Sequence, residues 1–276
     1  MSGKLHLVGT PIGNLGDLSP RAQQVLAEVD FIAAEDTRVT LKILNHLCIK
    51  KPLVSYFEHN RAKSGQQILQ RLLAGESCAL VTDAGMPAIS DPGEDLVKLC
   101  AENGVEVVAV PGPSACVTAL ALSGLPTGRF TFEGFLSTAK RSRFEHLESL
   151  KTEKRTMIFY EAPHKLIPTL RDMQTYFGPE RRIALCRELT KLHEEVLRMT
   201  LAEAVSYYDQ TPPKGEFVLV IEGAPKQTAP AVSEAEALLR IKALRADGVS
   251  LKEACRRISE ETGLSKNALY DRMVRE

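Results

Sequence analysis

Tryptophan is absent from this 276-residue chain and aromatic residues make up only 5% of it, so a base-stacking aromatic platform is not expected. The six cysteines, Cys48, Cys78, Cys100, Cys116, Cys186 and Cys255, are scattered, with no C-x-x-C pair and no histidine at ligand spacing. They read as reduced, mostly buried thiols of a cytosolic protein, and no metal site is expected. No apolar run approaches the roughly 18 residues that a spanning helix needs, and the apolar stretch after Met1 is too short for a signal-peptide core, so no membrane partner is expected. Neither sign of charge is in excess, since 35 Lys+Arg balance 35 Asp+Glu. The phosphate motifs are missing too. There is no G-x-x-x-x-G-K-[ST], and GTPIGN at Gly9–Asn14 is not G-x-G-x-x-G; its Pro11 also lacks an amide that a pyrophosphate would use.

What is present is organised around Leu80–Gly93, LVTDAGMPAISDPG, an apolar strand end that runs into two glycines and two prolines interrupted by Asp83 and Asp91. Such a turn excludes helix and strand and brings bare backbone to the surface. Leu7–Asn14 (LVGTPIGN) and Val107–Ala115 (VVAVPGPSA) repeat the arrangement. Three such turns, each between an apolar strand and a helical pattern, converge on the carboxyl edge of one open sheet, where α/β folds bind ligands. Each could also be no more than a tight connection. With Thr10, Asn14, Thr82, Asp83 and Ser114 among them, they offer hydroxyl, amide and carboxylate groups suited to a nucleoside with an amino-acid tail.

Five short strands, near residues 5–8, 31–34, 53–57, 78–81 and 105–110, alternate with helical stripes as far as Leu122, which predicts a parallel sheet covered on both faces. Ser123–Arg129 is a candidate linker. Strand candidates then fall at Phe130–Leu136, Thr156–Tyr160, Ile183–Cys186, Glu195–Met199 and Phe217–Ile221, some of them hairpin-like, which predicts a second, mixed sheet. Ala224–Glu234, rich in proline and alanine, reads as another linker. Three helices follow, with Gly263 and Ser265 placed as in a helix-turn-helix. The predicted domains are residues 1–124, 125–224 and 234–276. From Ser137 to Lys191 there are 12 basic residues against 7 acidic, which could meet phosphates but is also what a solvated face carries.

Together GTPIGNLGDLSPRA, AAEDTR, VTDAGMPAISDPG, VPGPSA, FEGFL, FYEAPHKL and KGEFVLVIEG resemble, in order, the tetrapyrrole (corrin/porphyrin) methylase superfamily from Leu5 to about Gly223. AEDTR and YEAPHK resemble its ribosomal-RNA branch; Met86, where a small or hydroxylated residue is expected, is a mild departure. The resemblance implies two α/β domains with a cofactor cleft between them, a small C-terminal helical domain, a homodimer and a cytoplasmic location. It implies S-adenosylmethionine as cofactor and, as the reaction, 2′-O-methylation of a cytidine (cytidine 1402) in 16S rRNA of the small ribosomal subunit. The cofactor would touch Pro11, Gly13, Asp83, Ala84, Gly85, Pro87, Ile89, Ser114, Ala115, Phe135 and Leu136, with Gly215 and Glu216 closing the pocket.

Methyl transfer needs an aligned hydroxyl and, usefully, a base to accept its proton. Glu35, Asp36, Arg38 and His59 are the catalytic candidates, with Glu133 and Glu188 as further carboxylates at strand ends. Arg38, Asn60, Lys165, Arg187 and Lys191 are the substrate-binding candidates, and His164 stands beside Lys165. For Asp36 and Arg38 the alternative is an ion pair at a helix start; for His59 and Asn60, a loop cap. Two other functions compete: a methyltransferase acting on a porphyrin or corrin precursor, and a DNA-binding regulator built on the C-terminal helices.

Overall fold

The computed structural model describes residues 2–225 and 232–275. The chain divides into two compact units, Met1–Ala224 and Pro225–Glu276. Most of the candidate linker after Ala224 lies outside the described residues.

In the larger unit, β1 (Lys4–Val8), β2 (Phe31–Ala34), β3 (Leu53–Ser55), β4 (Cys78–Val81) and β5 (Glu106–Val110) form a sheet in the order β3-β2-β4-β1-β5. Every pairing in it is parallel. The runs FIAA and CALV are buried at every position, as strands covered on both faces must be. Alternation sends successive residues to opposite cores. Phe31, Ala33, Cys78 and Leu80 meet Ile68 and Leu72 of α3 (Arg61–Leu73) and Leu96 of α4 (Glu94–Glu102). Ile32, Ala34, Ala79 and Val81 meet Ala22 and Leu26 of α1 (Pro20–Glu28) and Ile43 and Leu44 of α2 (Thr37–His46). Helix α1 starts as its sequence predicts, with Ser19 accepting from the Ala22 amide and Pro20 in the first turn. The chain leaves β1 toward β2 and leaves β4 toward β5, on opposite sides. The crevice at the strand ends therefore opens between the neighbours β1 and β4.

The second sheet runs β6-β7-β10-β8-β9, from β6 (Phe130–Phe135), β7 (Thr156–Glu161), β8 (Arg182–Arg187), β9 (Glu195–Thr200) and β10 (Phe217–Ile221). It is mixed: β6 is parallel to β7, and the other pairs are antiparallel. One face packs on α6 (Lys140–Ser149), α7 (Leu166–Phe177) and α8 (Leu201–Gln210). The other receives α5 (Ala115–Ser123), whose Cys116, Ala119 and Leu120 pack against Ile158, Ala184, Cys186 and Val220. Helix α5 follows the first sheet in the chain but packs on the second, which its sequence ACVTALALS, apolar nearly all round, allows.

The smaller unit is α9 (Glu234–Ala246), α10 (Leu251–Thr262) and α11 (Lys266–Arg275) around Ala237, Leu238, Ile241, Cys255, Ile258 and Leu269. Ser233 and Ser250 cap α9 and α10, and Gly263, at φ 75°, ends α10 in the left-handed conformation. Among the described residues no helix is long and apolar enough to cross a membrane.

Candidate active site

The turns after β1 and β4 are locked together before any ligand is considered. The Thr10 amide donates to the Gly85 carbonyl (2.9 Å), the Gly85 amide donates back to Thr10 (3.1 Å), and the Thr10 hydroxyl donates to the Thr82 carbonyl (3.1 Å). The turn after β5 is pressed against the same place, because Gly9 and Gly112 meet backbone to backbone. A Cβ on Gly9 would stand 2.6 Å from the Gly112 Cα. Only glycine permits this approach.

These turns face the second sheet across a cavity of about 570 Å³, within the usual range for small-molecule sites. The first sheet contributes Ile12, Glu35, the run from Asp83 to Met86, Ile89 to Asp91, Ser114 and Ala115. The second contributes Phe135, the run from Tyr160 to His164, Cys186, Leu189 and Glu216 to Val218. The Cys116 amide, in the first turn of α5, donates to the Tyr160 hydroxyl at 3.2 Å and ties the two walls together. Tyr160 in turn packs edge-on to Phe132 and Phe135.

The cavity is acidic, and none of its lining residues is lysine or arginine. Burial raises the Asp91 carboxyl to about 7, helped by the charges of Glu35 and Asp83. Burial raises Glu35 as well, with Asp83 adding to it, and raises Asp83. Among the described residues no group of three or more His, Cys, Asp or Glu side chains is arranged to hold a metal ion.

Of the residues predicted to touch a cofactor, Asp83, Ala84, Gly85, Ile89, Ser114, Ala115, Phe135 and Glu216 line the cavity, whereas Pro11, Gly13, Pro87, Leu136 and Gly215 are not among its lining residues. Pro11, Pro87 and Leu136 are buried. Gly13 lies against Lys191, and Gly215, at φ 82°, lies against the Glu188 side chain, where a Cβ would come within 2.5 Å.

Of the catalytic candidates only Glu35 lines the cavity. Asp36 caps α2 by accepting from the Arg38 amide (2.8 Å) and forms a two-pronged ion pair with the Arg38 guanidinium, which holds its carboxyl at about 2. Helix α2 accordingly begins at Thr37, within the AEDTR motif. The Arg38 side chain itself is 88% exposed. His59 is exposed in the turn after β3. Asn60 serves that turn, accepting from the Phe57 amide and donating to the Ser55 carbonyl.

Glu133 pairs with His146 at 2.9 Å, and Glu188 accepts from the Lys191 ammonium (2.8 Å) and the Glu216 amide (3.0 Å). Arg187 pairs with Glu195. Lys165 ends the short 3₁₀ turn Pro163–Lys165 beside His164. Much of the basic segment is neutralised in this way: Arg141, Arg143, Lys151, Arg155 and Arg171 each face a carboxylate. The lining residues that the sequence did not single out for the site include Asp91, Tyr160, Glu161, Cys186 and Leu189. Asp91 stands within the Leu80–Gly93 turn, where an acid beside Gly/Pro punctuation was the one available signal.

The profile of the tetrapyrrole (corrin/porphyrin) methylases matches residues 4–205, and the chain belongs to that family. A second profile, the RsmI C-terminal HTH domain, matches residues 229–276. Among curated relatives, the chain is 51% identical to a protein of Synechocystis sp. over 97% of this chain and 96% of the relative. It is 47% identical to one of Halalkalibacterium halodurans over 98% of this chain and 94% of that one. Both bear the name ribosomal RNA small subunit methyltransferase I. Two solved structures share the fold. Diphthine synthase has a TM-score of 0.62 at 13% identity, covering 80% of this chain and 90% of that one. Uroporphyrin-III C-methyltransferase from Thermus thermophilus, complexed with S-adenosylhomocysteine, has a TM-score of 0.55 at 18% identity, covering 79% and 97%.

Proposed function

We propose that this protein uses S-adenosylmethionine to methylate the ribose 2′-hydroxyl of a cytidine, cytidine 1402, in 16S rRNA of the small ribosomal subunit. The observation that carries the cofactor is the cavity between the two sheets. Its carboxylates Glu35 and Asp83 suit a ligand with sulfonium and ammonium charges, and its apolar walls at Ile12, Ile89, Phe135 and Leu189 suit an adenosine. The lack of any lysine or arginine in that lining does not suit a nucleotide phosphate. The cofactor supplies a methyl group bonded to a positively charged sulfur.

Toward that cofactor, Gly85 and Ala84 give open backbone, Ser114 a hydroxyl and Phe135 an apolar face. Residues 1–124 and 125–224 act as two domains, each supplying one wall, and residues 234–276 form a third. Arg38, exposed beside Glu35 and the cavity edge, is the side chain we assign to an rRNA phosphate. Lys165 lies next to the rim residue His164 and would extend that contact. A 2′-hydroxyl is accessible only where a nucleotide is splayed from its neighbours, so an irregular rRNA region in the assembled subunit is the fitting substrate. We expect a homodimer in the cytoplasm.

The rRNA reading is preferred to a porphyrin or corrin substrate because the curated relatives at 51% and 47% identity carry the rRNA name. Against a DNA-binding regulator, Arg240, Arg256, Arg257 and Arg272 of the helical unit are all paired with carboxylates. The test is transfer of a labelled methyl group from S-adenosylmethionine to small subunits from cells lacking the matching activity, followed by digestion to nucleosides. Label in 2′-O-methylcytidine is the expected result; label only in an added porphyrin precursor would overturn the substrate.

A further inference from the structure

The loop from Met86 to Asp91 is a strained part of the cavity wall, as is the Glu188–Thr190 turn around Leu189. Ala88 and Ser90 hold φ values of 68° and 63°, in the left-handed region that non-glycine residues rarely enter. Gly93, at φ 149°, closes the loop so tightly that a Cβ there would stand 3.0 Å from the Ala88 amide nitrogen. At its far side the loop reaches the second sheet, where the Ser90 hydroxyl lies 3.4 Å from the position of a Cβ on Gly134, within the β6 bulge. The strain thus holds Asp91 where both sheets line the cavity.

Most other titratable groups lining the cavity are already engaged. Glu161 accepts from the Ala162 amide and the Thr169 hydroxyl. Glu216 pairs with Lys191, and Asp83 accepts from the Asp36 amide. Glu35 is raised by burial and by the Asp83 charge, with the Asp83 backbone acting the other way. The Tyr160 hydroxyl is held by the Cys116 amide, and burial raises its phenol. Burial pushes the Cys186 thiol up to about 11. His164 is exposed at the rim. Asp91 is half-buried and has no hydrogen-bond or ion-pair partner among the described residues. The groups whose charge it feels are Glu35 at the end of β2 and Asp83 after β4, and its own charge acts on the Tyr160 phenol at the end of β7.

We propose that Asp91 is the general base of the methyl transfer, a role that rests on the function proposed above. The hydroxyl oxygen uses a lone pair to bond the methyl carbon, and the carbon–sulfur bond breaks with its electrons passing to sulfur, leaving a neutral thioether. The hydroxyl proton passes to the Asp91 carboxylate and from there to water. A carboxyl brought to about 7 is matched to this task near neutral pH.

The test compares wild type, Asp91→Asn and His164→Gln by single-turnover label transfer to small subunits, by calorimetry with S-adenosylhomocysteine, and by NMR of ¹³C-labelled aspartate carboxyls. Expected for Asp91→Asn is a rate roughly 10²- to 10⁴-fold lower with affinity for S-adenosylhomocysteine within about threefold of wild type. An aspartate signal titrating near 7 should also disappear. The wild-type rate should rise about tenfold per pH unit below that value and level off above it, and His164→Gln, altered at the cavity rim, should keep that pH profile. Asp91→Ser carries the same expectations should the Asn form fail to fold.

An Asp91→Asn enzyme within about fivefold of an active wild type overturns the assignment alone. So does a loss confined to His164→Gln, or an Asp91 signal that titrates in the ordinary carboxylate range. A wild type that transfers no label to rRNA overturns the proposed function and the base together.

Discussion

The Tyr160 hydroxyl, at the end of β7, accepts a hydrogen bond of 3.2 Å from the Cys116 amide in the first turn of α5. One neutral contact therefore joins the helix that follows the first sheet to the strand that ends at the cavity in the second.

Removing that hydroxyl tests the link. Tyr160→Phe leaves a largely buried amide without its partner and should cost about 1–3 kcal/mol in urea unfolding. Affinity for S-adenosylhomocysteine should fall by about threefold or more, since Tyr160 also lines the cavity. Unchanged stability and affinity would show that the walls are spaced by α5 packing alone.

Gly112→Ala puts a Cβ 2.8 Å from the Gly9 Cα, against backbone that has no side chain to rotate away. The turns after β1 and β5 must separate, so a loss of roughly 1–3 kcal/mol in stability and more than about tenfold in cofactor affinity is expected. Thermal unfolding and calorimetry check it.

Asp91 ties stability to pH with a definite sign. Its folded-state carboxyl is raised to about 7 from an ordinary value of 3.8, so between these the folded protein holds a proton that the unfolded chain has lost. Stability falls as pH rises through that window and the penalty persists above it. Asp91→Asn removes the penalty. It should match wild type near pH 4 and be more stable near pH 8, by roughly 1–3 kcal/mol after allowance for partial exposure and the neighbouring acids. Denaturant titrations at the two pH values decide it, and an equal gain at both would mean that the substitution acts through packing.

Arg38 is exposed apart from its pairing with Asp36, so its replacement should leave cofactor binding alone. For Arg38→Ala the expectation is methyl transfer to small subunits lowered by about tenfold or more, with affinity for S-adenosylhomocysteine unchanged. The Asp36 carboxyl, held at about 2 by this arginine, should rise toward the ordinary range. Full methylation activity would exclude Arg38 from the rRNA contact.

Much of the fold can be read along the chain because it is written in local periodicity and punctuation. Buried runs such as Phe31–Ala34 and Cys78–Val81 announced strands, Ser19 with Pro20 announced a helix start, and Gly263 a helix end. The three Gly/Pro turns marked the carboxyl edge of the first sheet, and the Thr10–Gly85 pairing and the Gly9–Gly112 contact bring them together there. The ion pair at a helix start, the alternative reading of Asp36 and Arg38, is what the structure shows, with Asp36 capping α2 from Thr37 onward.

The sequence by itself determined the two kinds of sheet, the turns that bare their backbone and the helical appendage, since each depends on neighbours a few residues apart. Only the tertiary structure decided that α5 packs on the second sheet, and that Tyr160, Cys186 and Leu189 face Asp83 across one cavity. It alone decided which charges are already satisfied, as in the Asp36–Arg38 and Glu188–Lys191 pairs, and which carboxylate is left without a partner. Burial and charge proximity belong to groups that meet across strands distant in the chain, and no local pattern records them.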